Sequence, residues 1–344
     1  MNFAEYLQRL PKVELHCHVE GTLRPATVID LAAKHDVALP TADVDRIYSY
    51  QTIYEFLEIF RLVNSTVIDR DDFARMAYES LEDGARLGNL KYREMFFNPT
   101  LHTPRGVAMA TVIDGLIDGC KAAESDFGVR CQLIADVYRQ DPPDVARQMV
   151  EEVVAHRRPE LIGLGMDAAE APDPPEKFVD AFRVAAAAGL RLTSHCAEDG
   201  PAANVTTCLD LLGCERIDHG YHILEDPAVV ARCRDQGVAF TCCPTSTAVV
   251  YGWPDFTTHP ITTMIAEGLV VTLNSDDPTM FHTDIGREYV EFCGQNNYSP
   301  ELVQGLVMAG VDATWLDDSE KAAMRRSFQA EIAALDQQLE RSAS

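Results

Sequence analysis

The chain has 344 residues, 47% hydrophobic and 24% charged, enough to bury a large core in a globular fold. Its formal charge of −25 repels nucleic acid and anionic membranes, so neither is expected as a partner, and a small neutral substrate is easier to admit than a phosphorylated one. Ten cysteines with no CxxC pair read as reduced thiols of a cytoplasmic protein, with no signal segment expected in Met1 to Leu10 and no bilayer-length apolar run.

In chain order, the first strand is expected at Val13–His18, ending His16-Cys17-His18. Alternate residues of a strand share a face, so both imidazoles can reach one metal ion. A His-x-His pair alone is more often packing or surface than a metal site. The segment from Thr22 to Asp72 is long and carries Tyr48, Tyr50, Tyr54, Phe56 and Phe60. It reads as helices forming part of a lid, or as the core of an added helical layer. Helical patterns follow at Ala74–Leu87, Val107–Ala123, Val145–His156, Glu176–Ala188, Ala202–Leu212, Pro227–Gln236 and Pro260–Glu267. Between them lie apolar runs at Tyr92–Phe97, Val129–Val137, Leu161–Asp167, Leu190–Ala197, Arg216–Gly220, Ala239–Thr245 and Val270–Ser275. A terminal helix is expected at Ser319–Leu339, with Asp317, Asp318 and Ser319 as N-cap candidates. Strand and helix alternate eight times, which implies parallel strands. The expected fold is α/β, a (β/α)8 TIM-type barrel with extra helices after strand 1 and a C-terminal helix, as one domain over 1–344.

In such a barrel the C-terminal strand ends surround one pocket. Four of these ends carry chemistry: His16-Cys17-His18, Ser194-His195-Cys196-Ala197-Glu198-Asp199, Asp218-His219-Gly220 and Asn274-Ser275-Asp276-Asp277-Pro278. Three histidines and one carboxylate suit a divalent transition metal such as zinc, so His16, His18, His195 and Asp276 are the candidate ligands. Such a metal lowers the pKa of bound water toward neutrality. Glu198 is placed to carry a proton, His219 to orient the water or take its proton, and Asp277 to face substrate. Taken singly, Glu198-Asp199 would be a solvated loop and Asp276-Asp277-Pro278 an ordinary turn; their joint placement favours a site. His102, His222, His259 and His282 are read as loop or surface residues. Cys17, Cys196, Cys242 and Cys243 are read as strand packing.

The sequence resembles the adenosine/adenine deaminase family of the amidohydrolase superfamily. The likeness rests on LPKVELHCHVEGTLRP, SHCAEDGP, ERIDHGYH, CCPTS and NSDDPTMF, in that order, and runs from Leu10 to Ala330. It implies one zinc ion per chain on His16, His18, His195 and Asp276. It implies that Glu198 protonates N1 of a 6-aminopurine, that activated water attacks C6 with help from His219, and that Asp277 meets N7. The Cys-rich signature of cytidine-deaminase-like enzymes is absent. Glu20, Asp218 and the segment from Gly163 through Ala168 to Glu170 resemble the adenine-type branch, and Glu20 and Ala168 are expected at the substrate. Ala197 stands where the family usually has Gly, Thr247 where it has Asn, and Tyr221-His222 also departs from the adenine pattern. Adenine is therefore the first expected substrate. Adenosine, an N6-substituted adenine and another nucleoside such as aminodeoxyfutalosine are the alternatives. Two further readings are a non-catalytic purine-binding relative and a barrel hydrolase of amide or ester bonds.

Overall fold

The structure is a computed structural model that describes residues 1–50 and 53–343. Among the described residues nine parallel strands form the sheet: β1 Lys12–Glu14, β2 Leu90–Phe97, β3 Arg130–Tyr138, β4 Leu161–Asp167, β5 Arg191–Leu192, β6 His195–Cys196, β7 Arg216–His219, β8 Ala239–Cys242 and β9 Val270–Leu273. They pair in chain order, β1 to β5 and then β6 to β9. The two runs are joined through the residues between β5 and β6. Thr193 N–H donates to Leu164 O (3.0 Å), and Asp218 N–H donates to Ser194 O (2.9 Å). The other seam is bridged where His18 N–H donates to Asp276 O (2.9 Å) and Asp276 N–H to His16 O (3.2 Å). β5 and β6 thus fill one place in an eight-membered ring, which is the expected TIM-type barrel.

The strands form where buried apolar residues run together, as parallel strands covered on both faces require. Leu133, Leu164, Met166, Ile217, Phe240 and Leu273 are all buried. Inside the barrel Arg216 of β7 meets Glu94 of β2 at 2.6 Å; on the opposite face of β2, against the helix Arg70–Gly88, Arg93 meets Glu14 of β1 at 2.5 Å, all four side chains being buried. Arg216 also lies over the Trp315 ring, 4.2 Å from its centroid.

The helices fall near their expected places, with instructive differences. The 176–188 pattern is a 3-10 turn, Pro175–Phe178, followed by a helix, Val179–Ala187. The 202–212 pattern is helical over Ala203–Thr207 and widens into a π turn over Cys208–Leu212. The terminal helix spans Asp318–Ala343, and Asp317 is the residue whose carboxylate accepts a first-turn N–H, that of Glu320 at 2.9 Å. Helices at Phe3–Arg9 and Pro300–Ala313 were not among the expected elements. Both carry readable starts: a capping box of Asn2 with Glu5, and Ser299 capping ahead of Pro300. No described helix is long and apolar enough to cross a membrane.

The long segment after β1 serves both expected purposes. Tyr48 is buried in the core and donates its hydroxyl to Leu23 O (2.6 Å). The helix Ile53–Asn64 covers the C-terminal face of the barrel, and Phe56 stacks on Phe281 with centroids 5.1 Å apart. The Tyr54 side chain lies outside the described residues.

Candidate active site

Four imidazoles turn toward one carboxylate at the C-terminal ends of the strands. Asp276 Oδ1 lies 3.3 Å from His16 Nε2 and 3.4 Å from His18 Nε2. His18 Nε2 lies 3.1 Å from His195 Nε2. His219 Nε2 lies 4.0 Å from Asp276 Oδ2 and 3.4 Å from Glu198 Oε1. Both His219 and Asp276 have left-handed backbone, φ +65° and +63°. So do Ala168 and Ala197 on neighbouring strand ends, a conformation that L side chains adopt at a cost and that clusters at functional sites.

The opposite ring nitrogens face the surrounding protein. His16 Nδ1 is 3.0 Å from the Thr241 hydroxyl, which in turn donates to Asp218 Oδ1 at 2.7 Å. His18 Nδ1 is 3.7 Å from Asp167 and 3.8 Å from Asp136. His195 Nδ1 is 3.7 Å from Asp218 Oδ2, and His219 Nδ1 is 3.2 Å from the Tyr221 hydroxyl. Hydroxyls thus hydrogen-bond the Nδ1 of His16 and His219, and carboxylates stand 3.7–3.8 Å behind His18 and His195, an arrangement akin to that behind metal-bound histidines. Asp276 Oδ2 accepts from the Ser246 hydroxyl at 2.5 Å.

This donor set fits zinc. Ligand atoms of His16, His195, His219 and Asp276 lie within 4.8 Å of one another, and His18 is joined to them through His195 and Asp276. His16 Nε2 and His219 Nε2 are buried with no hydrogen-bond partner, as nitrogens left for an ion or its water would be. Burial raises the pKa of Asp276, but the facing His16, by charge and hydrogen bond, leads the interactions that outweigh it and hold the carboxylate well below its usual range. Burial pushes His18 down to about 4, and burial with its neighbouring imidazoles pushes His195 well below its ordinary value, so both are neutral and ready to donate a lone pair.

Beside this cluster is a cavity of about 130 Å³, walled by Phe56, Leu57, Phe60, Tyr138, Tyr251 and Phe281. Glu198, His219, Asp276, Asp277, Asp167 and Ala168 reach it as well. Burial, then Asp276, Asp199 and Glu170, push the Glu198 carboxyl well above its ordinary value. Burial, then Asp276 and Glu20, do the same to Asp277, whose Oδ1 has no hydrogen-bond partner. Gly21 makes room for that group, since a Cβ there would lie 1.9 Å from Asp277 Oδ1.

Glu20 is not in the cavity wall. It is buried, with Oε1 accepting from Asn98 N–H at 2.7 Å and lying 3.5 Å from His102 Nε2. His102 and His259 lie in loops, as expected, but both are buried rather than at the surface. His102 bonds Arg105 at 2.9 Å, and His259 accepts from Ile261 N–H at the start of the helix Pro260–Ala266. Cys17, Cys196, Cys242 and Cys243 are buried free thiols. The sequence reading missed Ser246, Thr241 and Tyr251 at or behind the site. Asp218 is read from the sequence at a chemistry-bearing strand end and as a branch marker, without a role of its own.

Comparison with known proteins places this geometry. Residues 11–330 match the family model described as adenosine deaminase. An adenine deaminase of Cupriavidus necator is 38% identical over 281 residues, covering 81% of this chain and 80% of that protein. A zinc-bound amidohydrolase from Burkhoderia ambifaria superposes with a TM-score of 0.92 at 34% identity, covering 100% of this chain and 96% of its own. The adenine deaminase of Arthrobacter aurescens superposes with a TM-score of 0.89 at 32% identity, covering 95% and 99%.

Proposed function

The chain belongs to the adenosine deaminase family of metal-dependent hydrolases, with zinc as its metal, and from that premise we propose that it hydrolyses the 6-amino group of adenine, giving hypoxanthine and ammonia. The observation that carries the proposal is the gathering of four imidazoles around Asp276 next to a carboxyl, Glu198, whose surroundings favour its protonated form.

His16, His18, His195 and Asp276 would hold the zinc. When bound, the ion supplies Lewis-acid activation of a water at neutral pH. Glu198 donates its proton to N1 of the purine, which makes C6 electrophilic. His219 is neutral because burial and the nearby imidazoles push its pKa well down, so its Nε2 accepts the water's proton and orients the remaining oxygen toward C6. His219 passes that proton to the leaving nitrogen, the C6–N bond breaks, ammonia departs, and the hydroxyl now on C6 gives its proton back to Glu198, leaving the 6-oxopurine. N7 of a purine is an acceptor, so Asp277 meets it as a protonated carboxyl, the state its burial favours. Ala168, at the wall of the cavity, borders the far side of the base.

The free base is favoured by the cavity and by the named activity of the relatives. At about 130 Å³ the cavity lies well under the ~300–1,000 Å³ of clefts that take drug-sized ligands. The adenine deaminases of Cupriavidus necator and Arthrobacter aurescens carry the same activity in their names. The test is conversion of adenine, adenosine, N6-methyladenine and aminodeoxyfutalosine to their 6-oxopurines by zinc-loaded protein, followed by the change in purine absorbance. Adenine should turn over fastest. An inert adenine beside a rapidly consumed nucleoside would overturn the choice of base, and purine binding without turnover of any of the four would favour the binding relative.

A further inference from the structure

Behind Glu198 sits a second buried glutamate to which the family likeness gives no role. Glu170 follows β4, on the loop that also carries Ala168, and is 2% exposed. Its Oε1 accepts from Ala197 N–H (3.0 Å) and from the Asn204 side-chain amide (2.7 Å). Its Oε2 accepts from Glu198 N–H (3.2 Å) and Gly200 N–H (3.1 Å). The clasp is returned, because Asp199 Oδ1 accepts from Glu170 N–H at 3.0 Å. Three backbone donors of one four-residue loop therefore close on one carboxylate. Charge-assisted bonds of this kind are the strong ones.

Two local features show that the loop is shaped to this carboxylate. A Cβ at Gly200 would lie 2.5 Å from Glu170 Cδ and 2.7 Å from Oε2, so only glycine leaves room for it. Ala197 is held at φ +50°, a conformation an alanine keeps only when its surroundings impose it. The Glu198 side chain projects from the same clasped stretch toward His219, with Oε1 3.4 Å from Nε2.

We propose that Glu170 is a positioning residue for the reaction: its carboxylate gathers the 197–200 loop and thereby aims the Glu198 carboxyl at the substrate ring. The inference rests on the reading of Glu198 as proton donor given above. A proton donor displaced by about 1 Å can cost about 100-fold in rate, so the clasp has kinetic weight out of proportion to its distance from the chemistry.

The test is a double-mutant cycle of Glu170→Gln with Glu198→Gln, read as kcat, KM and zinc content. In the wild-type background Glu170→Gln should lower kcat about 10- to 100-fold, shift KM by less than about threefold and retain one zinc per chain. In the Glu198→Gln background the same change should cost less than about threefold, because its effect passes through the residue already removed. Equal losses in both backgrounds, an unchanged kcat, or a loss matched by missing zinc would each overturn the proposal. Gly200→Ala, which crowds the same carboxylate, should give the same pattern and replaces Glu170→Gln if that variant does not fold. If adenine is not the substrate, the cycle is run on whichever 6-aminopurine of the panel is turned over, so the choice of base fails separately. If Glu198→Gln alone leaves kcat intact, the donor assignment falls and this inference with it.

Discussion

Glu288 makes the stability of the barrel depend on pH in a direction opposite to that of ordinary paired carboxylates. It is 1% exposed in the helix Ile285–Glu288, and its carboxyl accepts from Thr283 Oγ1 (2.7 Å) and Thr245 N–H (3.2 Å). Burial drives its pKa from 4.5 up to about 7, because the hydrogen bonds from Thr245 and Thr283 only partly offset the loss of water. A carboxyl with a higher pKa folded than unfolded binds a proton on folding. Its contribution is thus fully present below about pH 4.5 and is lost as the pH rises through 7. The gap between 4.5 and about 7, at about 1.36 kcal/mol per pH unit, is worth about 3 kcal/mol. Glu288→Gln keeps the shape and removes the titration. Its amide oxygen can accept from Thr245 N–H while its NH2 donates to Thr283 Oγ1. Urea unfolding of both proteins, followed by the fluorescence of Trp253 and Trp315, gives the difference in stability at each pH. Relative to wild type, the variant should gain about 3 kcal/mol between pH 4.5 and pH 8. Parallel stability curves across that range would refute the reasoning. The matter reaches the site, since Thr245 precedes Ser246, whose hydroxyl holds Asp276.

Asp276→Ala should lose most bound zinc and lower kcat by more than about 100-fold, since it removes the carboxylate on which the imidazoles converge; metal analysis showing full zinc occupancy would contradict this. Arg216→Met strands the buried Glu94 carboxylate and should cost about 3–5 kcal/mol in urea unfolding. A loss under about 1 kcal/mol would mean that Glu94 finds another partner. Ala197→Gly relieves a left-handed alanine and should raise stability by about 0.5–1 kcal/mol, less than the strain itself because glycine loses more entropy on folding. A lower melting temperature would show that this backbone is not strained.

Much of the barrel was legible because its strands are buried on both sides. Runs such as Leu161–Asp167 are continuous in apolar residues, and that run is matched in full by β4. The helix Pro227–Gln236 was matched at both ends, where Asp226 caps and Gly237 takes φ +66°. The break between β5 and β6 was invisible, because Thr193 and Ser194 bring no Gly or Pro turn signal to the run. The widening at Cys208–Leu212 has no signature in periodicity at all.

The site was legible where a residue's type states its chemistry, and illegible where its role comes from what surrounds it. Imidazoles at strand ends announce a metal site, because few other uses bring several together. A glutamate after a strand announces nothing: Glu170 reads as a loop acid until four donors are seen on its oxygens. Asp218 is alike, set inside the barrel with one oxygen on Thr193 and the other on Thr241, and from there it reaches both His16 and His195. Glu20 was expected at the substrate; the chain leaves the extended conformation at Val19–Thr22, and Glu20 Oε1 accepts from Asn98 N–H at 2.7 Å. The same departure brings Gly21 against Asp277. A period-two argument holds only as far as the strand does. At this site the strands end among the residues that matter, in left-handed turns at Ala197, His219 and Asp276 that re-aim each side chain inward.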